Sequence, residues 1–280
     1  LLNNGCAGQL GKRYESNKEI FMKLIKKAII GSALAFAFSA AQAAPITVGG
    51  VTWDPDYVDN TDADFITEFK FTQWFGNQSE AAGVAPDFSD AVTIGTVMSS
   101  LNGSTAASGY FLKGAGEIDR VNGLFSPDFC SGCELTYAFG GIGLNKNGTF
   151  DITNAWARLF VNSLAPNYST PAGSQAEVND AVSGSKWLDL EFTSLGFQSG
   201  GVQNGQVSAT LEVIGGAASG HFQPKTLSYT ADAFFNPGQK YSSGGNGSMI
   251  GNTVPEPGTL ALFGLGLLGA SALRRRNTKA

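Results

Sequence analysis

Phe65-Ile66-Thr67-Glu68-Phe69-Lys70-Phe71 decides the fold class. After Ile66 the side chains alternate, with Phe69 and Phe71 on one face and Glu68 and Lys70 on the other, the period of a half-buried strand. The same signal recurs outward in both directions. Residues 47–53 read as a first strand, joined to this one by the acidic stretch 54–64. Downstream, 76–90 is a loop, 92–97 a short strand and 99–108 an exposed turn. Residues 110–112 and 116–121 read as paired or bulged strands before an Asn122-Gly123 turn. Residues 134–139 put Leu135, Tyr137 and Phe139 on one face. Asn145-Lys146-Asn147-Gly148 is a hairpin turn into 149–161. Trp187-Leu188-Asp189-Leu190-Glu191-Phe192 begins a strong strand. Gln203-Asn204-Gly205-Gln206 turns the chain into 207–214, and 229–235 is a last strand.

Eight to eleven strands at regular spacing, with no helix of more than two turns, predict an all-β fold. The expected architecture is an antiparallel β-sandwich over 44–237, jelly-roll-like in its simplest form. Composition agrees: 37 Gly and 20 Phe against 3 Met suit short strands and turns. Residues 163–185, poor in apolar side chains, are either a binding or cover loop or a disordered insertion. Residues 238–253, rich in Gly, Ser and Asn, read as a flexible linker.

The two ends carry targeting signals. Met22 opens a secretory signal over 22–43: Lys23, Lys26 and Lys27, an apolar core at 28–38, and the small-x-small site Ala41-Gln42-Ala43. Cleavage is expected after Ala43, leaving Ala44 as the new N-terminus. Residues 1–21 read as translated upstream sequence, with Met22 as the true start. At the other end Val254-Pro255-Glu256-Pro257 precedes an uncharged apolar run, 259–273, and then Arg274-Arg275-Arg276. As a helix the run spans about 22 Å, a short transmembrane helix with the arginines as its cytoplasmic stop. Gly264, Gly266 and Gly269 spell G-x-G-x-x-G. Inside an apolar run, however, that pattern serves close helix packing rather than a nucleotide.

These three parts together resemble the PEP-CTERM sorting signal over about 253–279. The resemblance implies export by a Gram-negative bacterium that makes exopolysaccharide. It also implies recognition by a membrane transpeptidase of the exosortase type and cleavage near the motif, with the tail lost as in other removable anchors. It covers none of the body. A surface or matrix protein of the biofilm is the function it implies, with exopolysaccharide as a possible partner.

Charge and residue chemistry bound the rest. Residues 44–257 hold 8 basic and 21 acidic side chains, a net charge of −13, which excludes nucleic acid and anionic lipid as natural partners of the body. Cys130 and Cys133 are the only two cysteines of that span. In an oxidising export route a local disulfide is favoured over a redox dithiol, a metal site or an intermolecular bridge. Asp54, Asp56, Asp59, Asp62 and Asp64 are candidate Ca²⁺ ligands by density. The spacing lacks an EF-hand's glycine and distal glutamate, so a solvated acidic loop is the favoured reading. His221 is the single histidine, with no G-x-S-x-G elbow to join it in a triad. Asp189 and Glu191 share a strand face, as glycosidase carboxylates or a plain solvent face would. Trp53, Trp74, Trp156 and Trp187 are candidates for stacking on sugar rings or for the core. The reading that results is non-enzymatic and without cofactor. A carbohydrate-binding module for exopolysaccharide is the first rival, and a polysaccharide hydrolase or lyase the second.

Overall fold

The structure, a computed structural model, describes residues 43–163, 168 and 173–254. In chain order its elements are β1 (Ile46–Val48), β2 (Val51–Trp53), β3 (Phe65–Gly76), α1 (Ile94–Ser100), β4 (Ala107–Val121), β5 (Leu124–Phe125), α2 (Ser126–Phe129), β6 (Glu134–Asn145), β7 (Phe150–Asp151), β8 (Trp156–Asn162), α3 (Gln175–Ala181), β9 (Ser185–Gly200), β10 (Asn204–Gly215), β11 (Thr226–Phe234) and β12 (Gly245–Gly251).

Eight of the strands close into a barrel. β3, β4, β6, β8, β9, β10, β11 and β12 each pair antiparallel with the next along the chain, and β12 returns to pair with β3. This is an up-and-down barrel, not the expected sandwich. Alternating burial is the same in either architecture; the choice rests on whether the last strand meets the first. It does so through a stretch that reads as a linker. Gly245 and Gly247 of β12 lie opposite Phe71 and Phe69 of β3. A Cβ on either glycine would fall 2.2 Å from the facing ring. The bare backbone is what lets the two rings lie across β12. The body therefore extends to Val254, and the expected boundary at 237 is corrected.

Two further expectations change. Residues 92–97 hold the start of α1 rather than a strand: Thr93 caps it, its Oγ1 accepting from Thr96 N, and Ile94 and Val97 turn one face inward. The long stretch 163–185 contains α3, capped by Ser174, with Glu177 reaching back to the residue before the cap. Ser174 Oγ accepts from Glu177 N at 3.3 Å, and Glu177 accepts from the Gly173 N–H in return.

The barrel has two apolar cores. Inside lie Phe69, Phe71, Phe75, Tyr137, Phe139, Leu159, Leu190, Phe192 and Leu211. Gly114 and Gly116 of β4 make room there for the rings of Phe139 and Tyr137. Outside, Trp74, Ala115, Ala138, Trp156 and Phe160 form a second patch. It is covered by α3, through Val178 and Ala181, and by a strap, residues 77–91, whose Phe88 stacks on Tyr241 at 4.2 Å. The apolar run expected to cross the membrane lies outside the described residues. Among these, no helix is long and apolar enough to do so.

Candidate functional site at the closed end of the barrel

Strand direction assigns each feature to one of the barrel's two ends. β3 begins, and β4 and β12 finish, at the end closed by the β1–β2 hairpin. Trp53 of β2 meets Phe65, Trp187 and Phe222 at centroid separations of 5.8, 5.6 and 6.4 Å, an aromatic plug. The Trp187 indole N–H donates to Val48 O at 2.9 Å and fixes the hairpin over it. Cys130 and Cys133 form a disulfide here, their Cα atoms 5.1 Å apart. Gly50, at the hairpin turn, sits directly over Cys133.

The chain leaves the body at this end, and its last described residues are pinned. The Asp64 carboxylate accepts from Thr253 N at 2.6 Å and Thr253 Oγ1 at 2.8 Å. The Trp53 indole donates to Thr253 Oγ1 at 3.3 Å. Thr253 bridges Phe222, and Val254 N donates to His221 O at 2.7 Å. Burial raises the Asp64 pKa, opposed by the two Thr253 hydrogen bonds and reinforced by Asp56. Asn122, at φ 50°, holds the 54–64 loop in place. Its side chain accepts from Ile66 N and donates to Asp54 O and Asp64 O.

This geometry separates the candidate residues. Of the five aspartates, Asp54 and Asp59 cap local turns through Asp56 N and Thr61 N, Asp56 accepts from Ala43 N, and Asp64 holds Thr253. Among the described residues no three His, Cys, Asp or Glu side chains converge on a point that would hold a metal. His221 packs edge-on against Trp53 at 5.9 Å, and its carbonyl serves the tail. Asp189 is gripped by Arg158, with Nε–Oδ1 at 2.6 Å and Nη2–Oδ2 at 3.1 Å, and by Lys186 at 2.8 Å. Burial alone would raise its pKa; the hydrogen bonds and charges of Arg158 and Lys186 outweigh that and lower it. Glu191, two residues on, is exposed. All four tryptophans are buried, none above 4% exposed, so none offers a face to a sugar. Of the signal-cleavage residues, Ala43 and Ala44 lie just before β1, also at the closed end; Ala41 lies outside the described residues.

The opposite end is where the lumen opens. A cavity of about 40 Å³ lies there, walled by Phe75, Leu112, Ile142, Phe192 and Phe197, with the exposed Asp232 on its rim. A second, of about 20 Å³, lies in the same lumen against Tyr137 and Met249. The Tyr137 hydroxyl is buried there with no hydrogen-bond partner among the described residues, and burial pushes its pKa well up. At about 10–15 Å³ per water the two spaces hold a few water-sized groups and no sugar ring.

The tail that follows the pinned residues carries a recognisable motif. Residues 253–276 match the family model of the PEP-CTERM protein-sorting motif. The tail is a sorting signal. The PEP-CTERM match begins at Thr253, the residue that Asp64 holds, so a single residue, Asn252, separates the last strand of the barrel from the motif. Pro255, Glu256 and Pro257, and the arginines Arg274, Arg275 and Arg276, fall inside the match but outside the described residues. No curated protein and no solved structure matches the chain. The PEP-CTERM motif implies an exported protein processed at the membrane by an exosortase-type enzyme.

Proposed function

We propose that the chain is a non-enzymatic, surface-displayed barrel, exported by a Gram-negative bacterium and presented to its sorting enzyme closed end first. The apolar run 259–273 holds it in the inner membrane until processing. Processing breaks a peptide bond near the motif. The body's new acyl end passes to an acceptor amine or to water, and the tail keeps the freed amino group. The body then serves in the extracellular matrix or biofilm.

One observation carries this reading: one residue after the closing strand of the barrel the chain enters the motif, whose first two residues, Thr253 and Val254, are pinned to the body. From Val254 to Pro257 is three residues, a reach of at most about 10 Å. A folded domain of even 100 residues has a radius of gyration of about 13 Å. Whatever grips Pro255-Glu256-Pro257 therefore works against the closed end of the barrel, whose exposed face carries Asp54, Asp56 and Asp62. Inserting ten Gly/Ser residues between Thr253 and Val254 of the full chain is the test, with processing followed by intact mass in the native host. The expected result is several-fold slower processing, together with loss of any effect of Asp56→Lys and Asp62→Lys, which slow the unaltered chain. Equal or faster processing after insertion would show that the motif is read alone. No processing of the unaltered chain would instead remove the sorting reading itself.

The exopolysaccharide-binding reading keeps its place as a rival without the tryptophans that motivated it. Binding of the processed body on a glycan array, without release of reducing ends, would establish it; release of reducing ends would make the protein an enzyme.

A further inference from the structure

The strap over the outer wall of the barrel is tied down by one buried cation. Lys113 points outward from β4 with none of its side chain exposed, and meets Glu80 and Asp90, whose side chains are 9% and 8% exposed. Its Nζ donates to Asp90 Oδ2 at 2.8 Å and to Gln78 O at 3.1 Å, and touches Glu80 Oε1. The other oxygen of each acid, Glu80 Oε2 and Asp90 Oδ1, is buried without a hydrogen-bond partner among the described residues. Trp74 stands beside Lys113 in the β3–β4 register and packs on Phe88 of the strap. The Asp90 carboxyl lies over Gly76, where a Cβ would come within 2.3 Å of both its oxygens. It also accepts from Gln78 N at 3.1 Å.

Three charges buried this far, with two carboxylate oxygens unsatisfied among the described residues, are a costly arrangement for a plain ion pair. The same placement suits condensation. The amine nitrogen is held against a fixed carboxyl, a backbone N–H polarises that carboxyl, and a second carboxylate stands in reach of the ammonium protons.

We propose that Lys113 and Asp90 join in an intramolecular amide bond, with Glu80 moving the proton. Glu80 takes one proton from the Lys113 ammonium. The freed amine attacks Asp90 Cγ, and the N–C bond forms. One carboxyl oxygen then departs, taking the proton from Glu80 and a second from the nitrogen, and leaves as water. An ammonium and a carboxylate have become an amide and a water; nothing is oxidised or reduced, and Glu80 ends ionised as it began. The bond fastens the strap to β4 across 23 residues of chain, a covalent tie that would resist proteolysis and unfolding outside the cell. This proposal stands on the described body alone and is independent of how the tail is processed.

Intact mass of the folded full-length protein tests it, followed by tryptic mapping. The expected mass is lower by one water than that of the disulfide-bonded chain, and trypsin, blocked at the acylated Lys113, gives a looped peptide 71–120 lighter by one water in place of 71–113. Asp90→Asn reaches the same final mass, releasing ammonia instead of water. Glu80→Gln and Asp90→Ala stay at the full, unreacted mass. A folded wild-type protein that keeps its full mass on prolonged incubation, with trypsin cutting after Lys113 to release peptide 71–113 at its unmodified mass, would overturn the proposal. Because this result is read on the wild type, it does not depend on whether any variant folds.

Discussion

Asp189 is where a single residue makes the protein's stability pH-dependent. Its pKa in the folded body is lowered, and the group is largely buried between Arg158 and Lys186. A carboxylate with a depressed folded pKa contributes stability that is full above its unfolded value, about 3.9, and is lost as pH falls through the folded value. Asp189→Asn is therefore expected to lower the denaturant midpoint at pH 7 and to flatten the loss of stability below pH 4. Urea titrations at both pH values check this. Asp64 has the opposite sign: its raised pKa makes its ionised form a liability that Thr253 only partly offsets. Asp64→Ala leaves the buried Thr253 amide and hydroxyl without their acceptor. It is expected to cost about 1–3 kcal/mol, measured by chemical denaturation, and to open the 253–254 bond to added protease.

Glycine settles the outcome at the scale of the element. Gly247 faces Phe69, and a Cβ there would stand 2.2 Å from the ring and 2.8 Å from Thr230 O. Gly247→Val is expected to destabilise the body by about 1–3 kcal/mol through overpacking, read as a shift in denaturation midpoint; Ser248→Val, on the neighbouring position, should cost far less. The same residue explains what the sequence hid. β3 announces itself because its own side chains alternate, whereas β12 has almost none to alternate: its inward face is supplied by Phe69 and Phe71 from the strand beside it. Composition therefore reads as a linker where pairing makes a strand. α3 is signalled in the sequence only by Ser174 and Glu177 in capping-box spacing, a signal that the few apolar residues around it do not reinforce. The tryptophans mislead in the other direction. Trp74 and Trp156 do point out of the barrel, as sugar-stacking residues would, but the strap and α3 roof them over.

For the whole molecule, barrel closure and the sorting tail are one feature seen from two sides. The strand that completes the hydrogen-bonded ring also brings the motif to the closed end, where Ala43 and Ala44 begin the body as well. The PEP-CTERM motif was legible because it is a run of consecutive residues, 253–276. The barrel was legible only as all-β, because closure is a relation between residues 65–71 and 245–251 that no local pattern carries. A body ending at Pro237 lacks the strand that pairs with both β3 and β11. It is expected to lose cooperative unfolding, whereas one ending at Val254 keeps it; thermal melts followed by near-ultraviolet circular dichroism distinguish them.

Hydrogen exchange of the 245–251 amides in the intact protein tests the closed barrel most directly. Closure predicts that amides of β12 bonded to β3 and β11 exchange as slowly as those in the middle of β3, within about tenfold, because they open together. Exchange of 245–251 at the rate of an unstructured glycine-rich chain, with β3 still protected, would contradict it. The body would then be an open sheet joined to its sorting signal by a linker.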